Sequence, residues 1–591
     1  MSSIIARARN SYTRIEDIDQ DLRVIGESDM VKVDRAVALD GLAILSGWHS
    51  NGLELSATNL KYITSYHRPD VERQFGATAI GFVLVASGAN SDRIDLRITS
   101  ATESFETGVA FDRNNGSAAA LIEEQLPRLV ELVPTIAQSP LWISLLQPHI
   151  SDAAPARVGG CIDRALVLEG VGLAISGWAF APRGVHFGVA TEDGYFPLEQ
   201  ACRIKRPDVA STFAEDDGPV AGDEVGFFAC LRGDFREGGT VELVASGETG
   251  LPPVARATVA TGPTDPVQLA RALFKHQTPI ADFAQRIVAH DGPLLEHAIA
   301  NARRDWPRKL SLDRQYGTAP ATFQTSVIVP LYGRCDFVEH QLAHFARDSS
   351  FATTELLYVI DDPALVEPMQ AEAPLLAKLY GIPFRVLWGG LNRGFSGACN
   401  LGAAFAQGST LIFLNSDVFP EEPGWVPQIQ SLLADNPDFG VIAPRLIYPD
   451  GGIQHVGMAF EFDQHLGIWT NQHPLAGLPV AADKTNGLVE RPAVTGACMA
   501  VRAAEFARIG GFDTGYLIGD FEDSDLCLKY RRAGKLPGYF PGISMTHLER
   551  QSVSMITGDD FRQKVVIFNA QRHFLRWGEM IRQMAGGENH A

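Results

Sequence analysis

The chain has 591 residues, 46% of them hydrophobic and 20% charged, the balance of soluble globular protein and enough length for three or four domains. A formal net charge of −20 without a concentrated basic stretch excludes a general nucleic-acid binder, since a polyanion would be repelled. Seven cysteines, an odd count with no C-x-x-C pair, point to buried thiols in a reduced, cytoplasmic protein and away from a zinc site.

Residues 1–29 read as an N-terminal extension without the apolar core of a signal peptide. No stretch in the chain reaches the roughly 18 apolar residues of a membrane span, so a soluble protein is expected, with work at the inner face of the membrane left open. An internal repeat follows. Asp34-Arg35 to Gly41 returns as Asp163-Arg164 to Gly170, and Ser46-Gly47-Trp48 returns as Ser176-Gly177-Trp178. Arg68-Pro69-Asp70-Val71 returns as Arg206-Pro207-Asp208-Val209, and Gly81-Phe82 as Gly226-Phe227. Order and spacing mark a duplication.

Each copy alternates short strands with Gly, Asp and Asn turns, which predicts two β-sandwich modules at 30–115 and 153–262. Helical linkers at 116–152 and 263–320 follow them. Trp48 and Trp178 could stack on a sugar ring, but large aromatics in sandwiches usually fill the core, and that reading is preferred. Arg-Pro-Asp-Val reads as a turn with an internal Arg–Asp pair. The modules could join copies of the chain into a homo-oligomer.

From 321 to 591 the pattern changes to strands alternating with helices, which predicts a Rossmann-like domain with a mostly parallel sheet and C-terminal helices. Ligands of such sheets sit at the carboxyl ends of the strands, where Tyr332, Asp361, Asn392 and Asp417 cluster. The segment from about Phe460 to Val489 has loop-like composition, with Trp469 as a candidate sugar platform.

Nine motifs then follow in order: VIVPLYGR, VIDD, LNRGFSGACNLG, FLNSDV, APRLIYPDGGIQHVG, TGACMAVR, IGGFD, DFEDSDLCLKYRRAG and THLERQSVS, with an FNAQRHFLRW tail. This series resembles the family 2 glycosyltransferases of GT-A fold, in particular the bacterial branch of rhamnosyltransferase-like, O-antigen and polysaccharide enzymes. The resemblance implies inverting transfer from a UDP- or dTDP-linked sugar to a saccharide or lipid-linked glycan acceptor. It also implies a divalent ion, Mn²⁺ or Mg²⁺, to neutralise the diphosphate.

By that resemblance Asn415-Ser416-Asp417 stands for the family's Asp-x-Asp element, making Asp417 the metal ligand and Asn415 a hydrogen-bonding neighbour. His547 is either a second metal ligand or a structural hydrogen-bonder. Asp523 is implied as the base that takes the acceptor's proton, with Glu522 as its partner or alternate and Asp525 serving the helix start. On the donor side Pro330, Tyr332, Asp361, Asn392 and Asn400 are implied, Asp361 toward the N–H of the base; Asp362 has no assigned role. The competing expectation is a glycan-binding or assembly protein with a degraded, inactive transferase domain.

Overall fold

The computed structural model describes residues 14–18, 23–25, 29–39, 41–75, 78–87, 92–100, 104–132, 142–150, 158–168, 170–181, 185–192, 194–213, 224–246, 250–275, 280–304, 306–307, 309–548 and 559–587. Residues 133–141 of the first expected linker and 549–554 of the THLERQSVS motif lie outside them. The chain divides into two compact units, Met1–Gly262 and Pro263–Ala591.

In the first unit each repeat copy forms a five-stranded and a four-stranded sheet. Strand Arg93–Thr99 alternates buried Ile94, Leu96 and Ile98 with exposed charged residues, the two-residue period of a half-buried strand. These residues share a core with Val31, Val33, Leu45, Phe82 and Leu84 of the other sheet. The repeated motifs do the same work twice. Arg68 grips Asp70 through Nε and Nη2 at 2.9 and 2.7 Å and reaches Asp34 at 3.1 Å. Arg206 grips Asp208 at 2.9 and 2.8 Å and reaches Asp163 at 2.5 Å. Trp48 is buried against Val71 and Ala79, and Trp178 stacks on Phe180 with ring centres 5.9 Å apart.

One expected boundary needs correction, and the two helical segments pack on neighbouring structure. Within the supposed extension, Arg14–Ile18 pairs in parallel with Ser104–Ala110, and Arg23–Ile25 pairs with Asp29–Leu39. Helix Asn115–Leu132 is no free linker, because Leu121, Leu126 and Leu129 cover Ile44, Val83 and Val85 on the outer face of the first copy's sheet. Nor is 263–320 a free linker. Its first helix, Pro266–Leu273, is capped by Asp265, whose side chain accepts from the Gln268 N–H. Phe274 packs edge-on to Phe283, and its carbonyl accepts from Lys564 Nζ at 2.8 Å. Beside it the fully buried Arg286–Asp291 pair is bidentate, at 2.8 and 3.0 Å.

The second unit is built on one eleven-stranded sheet. Nine of its strands are β1 (Leu312–Tyr316), β2 (Thr325–Leu331), β3 (Thr354–Ile360), β4 (Phe384–Trp388), β5 (Thr410–Leu414), β6 (Val418–Pro420), β7 (Phe439–Ile447), β8 (Cys498–Arg502) and β9 (Leu536–His547). Their spatial order is β1-β4-β3-β2-β5-β8-β7-β9-β6. The expected parallel block exists as β4-β3-β2-β5, whose strands are β-branched and buried on both faces. The sheet as a whole is mixed rather than mostly parallel. β8 runs antiparallel to both β5 and β7, β6 antiparallel to β9, and β1 antiparallel to β4. Three helices position the site: α1 (Gly394–Phe405), α2 (Glu522–Arg532) and α3 (Asp559–Gly587).

Candidate active site

The site is assembled where β2, β3 and β5 end. Pro330 occupies β2 opposite Val359 of β3, and Tyr332 follows it. Burial, then the charges of Asp362 and Asp361, raises the Tyr332 phenol. Asp362 has a structural duty: its oxygens accept from Ala364 N at 2.9 Å and Gly333 N at 3.2 Å, pinning the two loops together. Asp361 is buried, and its Oδ1 accepts from Arg393 N at 2.7 Å. Burial outweighs that bond and raises its carboxyl to about 7. Asn392 is exposed, and its Oδ1 accepts from Gly394 N at 2.9 Å in the turn that opens α1.

Asn400 Nδ2 donates to Phe512 O at 2.9 Å and its Oδ1 accepts from Phe512 N at 3.0 Å, so both ends of the side chain fasten α1 to the IGGFD segment. The contact with the donor expected of Asn400 would have to use the second amide hydrogen or lone pair.

The Asn415–Asp417 turn follows β5. Asn415 N donates to Ala497 O at 2.9 Å, while Gln341 Nε2 donates to the carbonyls of Asn415 and Val418. Because Val418 pairs with His547 across β6 and β9, Asp417 Oδ1 lies 3.3 Å from His547 Nε2. The other ring nitrogen, Nδ1, is 2.7 Å from Gln454 Oε1. An amide oxygen only accepts, so Nδ1 carries the proton in this arrangement and Nε2 is the nitrogen that faces the carboxylate. Nε2 and the carboxylate oxygen can share a proton or ligate one cation. This donor set fits a divalent ion, with imidazole held by an outer amide in the usual manner. Asn415 Oδ1, buried without a hydrogen-bond partner, adds a further oxygen. Among the described residues no cluster of three or more His, Cys, Asp or Glu side chains is present, so phosphate or water oxygens would complete the shell.

The acidic pair heads α2. Asp523 Oδ2 accepts from Gly496 N at 2.9 Å and Oδ1 from Ser524 N at 2.7 Å. Burial raises its carboxyl, to about 6, against the pull of those two N–H groups. Glu522 is raised much further by burial and then by the charge of Asp523, and its Oε2 has no hydrogen-bond partner. Burial holds both carboxyls above their ordinary range, Glu522 the further of the two, because two backbone N–H groups favour the charged form of Asp523. Asp525 serves more than a helix start. Fully buried, it accepts from Tyr516 Oη at 3.0 Å and Trp577 Nε1 at 2.6 Å.

Several contributors escaped the sequence reading. Gly496, in the TGACMAVR motif, lies against Asp523. A Cβ there would meet Asp523 Cβ at 3.2 Å and the Phe395 ring at 3.5 Å. His455, within the GIQHVG run, accepts through Nε2 from Gly457 N and Thr495 N and so shapes the loop carrying Gly496. Burial holds that imidazole well below its ordinary range, hence neutral and able to accept. Cys399 of α1 feels the charges of both Glu522 and Asp361, which places the acidic pair and the β3 end around one helix. The segment expected as a loop contains a hairpin, Ala459–Asp463 with Ile468–Gln472. Trp469 on it packs against Phe462 and the Leu528–Trp577–Ile581 cluster, which argues against a free sugar platform.

Residues 326–468 match the family model described as Glycosyl transferase family 2. The uncharacterized protein y4gI of Sinorhizobium fredii is 30% identical over 162 residues, covering 27% of this chain and 17% of that protein. The O-antigen biosynthesis protein RfbC of Myxococcus xanthus is 28% identical over 202 residues, covering 32% of this chain and 15% of that one. The chain thus spans about one sixth of the length of the curated relatives it matches. Among solved structures, GalNAc-T7 with UDP, GalNAc and Mn²⁺ aligns at 15% identity over 44% of this chain and 50% of that one, with a TM-score of 0.34. The mannosyltransferase of Pyrobaculum calidifontis with GDP-Man and Mn²⁺ aligns at 16% identity over 53% of this chain and 88% of that one, with a TM-score of 0.29. No described helix is long and apolar enough to cross a membrane.

Proposed function

We propose that the second unit is a GT-A glycosyltransferase that moves a sugar, with inversion, from a UDP- or dTDP-linked donor to a saccharide or lipid-linked glycan acceptor in cell-surface glycan synthesis. The observation that carries this reading is geometric: Gly496 N donates to Asp523 while the carbonyl of the next residue, Ala497, accepts from Asn415 N, so one short segment ties the acidic pair to the Asn415–Asp417 turn. The family model over residues 326–468 and the O-antigen relative support the same reaction class.

Asp523 accepts the proton of the acceptor hydroxyl as that oxygen bonds to the anomeric carbon, while the bond from that carbon to the diphosphate breaks and its electron pair leaves with the phosphate. Glu522, still protonated, donates a hydrogen bond toward the acceptor. Asp361, Pro330 and Tyr332 receive the base, and the Asn392 turn shapes the loop beside it. Asp417 and His547 would hold Mn²⁺ or Mg²⁺, which as a Lewis acid would neutralise the departing diphosphate. The two N-terminal modules, duplicated β-sandwiches in this reading, serve as accessories that seat the acceptor, the membrane face or a second copy.

Thermal denaturation with UDP- and dTDP-sugars, each with and without Mn²⁺, tests donor recognition. At about 100-fold excess over Kd a bound donor adds roughly 2.7 kcal/mol, several degrees in midpoint. The alternative of an inactive glycan-binding protein expects no donor to move the midpoint while glycans do.

A further inference from the structure

We propose that Asn569 of α3 is a positioning residue, whose side chain braces the loop Leu517–Phe521 and thereby sets where α2 presents Glu522 and Asp523. This role rests on the acid–base reading of Asp523 given above. The loop is strained. Ile518, Asp520 and Phe521 have φ of 65°, 79° and 75°, so three of the four residues directly before Glu522 are non-glycine residues in the left-handed region. For a β-branched side chain such as Ile518 that region is especially unfavourable, and it persists only where surroundings over-determine it.

The surroundings here are largely one side chain. Asn569 is fully buried. Its Oδ1 accepts from Leu517 N at 3.0 Å, and its Nδ2 faces three carbonyls: Gly519 at 2.7 Å, Leu517 at 3.0 Å and Asp520 at 3.4 Å. A single amide therefore replaces the ladder that a strand or helix would supply to this backbone. α3 adds flanking holds. Arg562 reaches Asp520 Oδ2 at 3.0 Å, and Trp577 holds Asp525 in the first turn of α2. With Asn569 removed, Leu517 and Gly519 would leave buried polar groups unmet, and the loop would relax toward ordinary φ, turning the head of α2.

The test uses the full chain with the Asn569→Ala variant and the Asn569→Ala/Ile518→Gly double variant. Glycine adopts positive φ without penalty, so it should restore a loop lost through strain but not one lost through general unpacking. Amide exchange at residues 517–521 should speed up at least about tenfold in Asn569→Ala, while β3 stays as protected as in wild type. The double variant should recover most of that protection. Turnover should follow, with kcat falling at least about tenfold, donor KM nearly unchanged, and partial recovery in the double variant. Should Asn569→Ala fail to fold, Asn569→Asp keeps the acceptor for Leu517 N and loses the donors, and the same local exchange is expected of it. Unchanged exchange at 517–521, equal acceleration in β3, or no glycine rescue would overturn the brace. Exchange needs no substrate, so a wild type that releases no nucleotide from any donor defeats the proposed reaction and leaves the brace to be judged by exchange alone.

Discussion

Asp523 is poised by its surroundings, and its titration should be visible in the reaction. Burial raises its carboxyl from an ordinary 3.8 to about 6. A base of that strength is about nine-tenths ionised at pH 7 and about one-tenth at pH 5, so kcat at saturating donor should fall about tenfold between them. An ordinary aspartate would lose under about 10% over the same interval. Saturation matters because Asp361, raised to about 7, titrates in the same range and should act through donor KM. The measurement is nucleotide release by stopped sampling at pH 5 to 8, with Asp523→Asn as the control, expected down by about 10²- to 10⁴-fold. The stability sign runs the opposite way. A carboxyl raised in the folded state contributes stability that is complete below the ordinary carboxylate range and is lost as pH rises through about 6. Wild type should therefore lose stability between about pH 4 and 7 that Asp523→Asn retains. A kcat that is flat from pH 5 to 7, or an active Asn variant, would refute the reasoning.

Asp417→Ala and His547→Ala should each abolish the Mn²⁺-dependent part of UDP binding in calorimetry while leaving the metal-free part; equal losses without metal would contradict the ligand pair. Gly496→Ala inserts a Cβ at 3.2 Å from Asp523 Cβ, tighter than most contacts, and should lower kcat by at least about tenfold with little change in melting midpoint. Asn400→Ala should destabilise the second unit by about 1–3 kcal/mol through the unmet Phe512 backbone, read by urea denaturation, with donor affinity unchanged.

Much of this was legible in the chain because the signals are local. β-branched runs such as TSVIVPL and TELLYVI announce buried parallel strands, and the repeat announces two alike modules by its matched Arg-Pro-Asp-Val elements. Those elements, expected as turns, instead open the short helices Pro69–Phe75 and Pro207–Phe213. The order of Asp361, Asp417 and Glu522–Asp523 could be read for the same reason. Contacts set by register could not. Asp417 meets His547 only because β6 lies antiparallel to β9, a pairing 130 residues apart that no spacing encodes. Asn400 looked like a donor contact from its neighbours, but its partner is the backbone of Phe512, 112 residues away. Asp525 looked like a helix start and is also the buried anchor for Tyr516 and Trp577. The hairpin at Ala459–Gln472 was hidden because its strands are only 5 residues each and the second, Ile468–Gln472, ends in the polar run Thr-Asn-Gln.

The most direct trial is nucleotide release from a panel of UDP- and dTDP-sugars by the full chain with Mn²⁺, comparing wild type with Asp523→Ala and Asp417→Ala. Mn²⁺-dependent release from at least one donor by wild type, lost in both variants, is the predicted result. Equal background release from every donor by all three proteins would contradict the account.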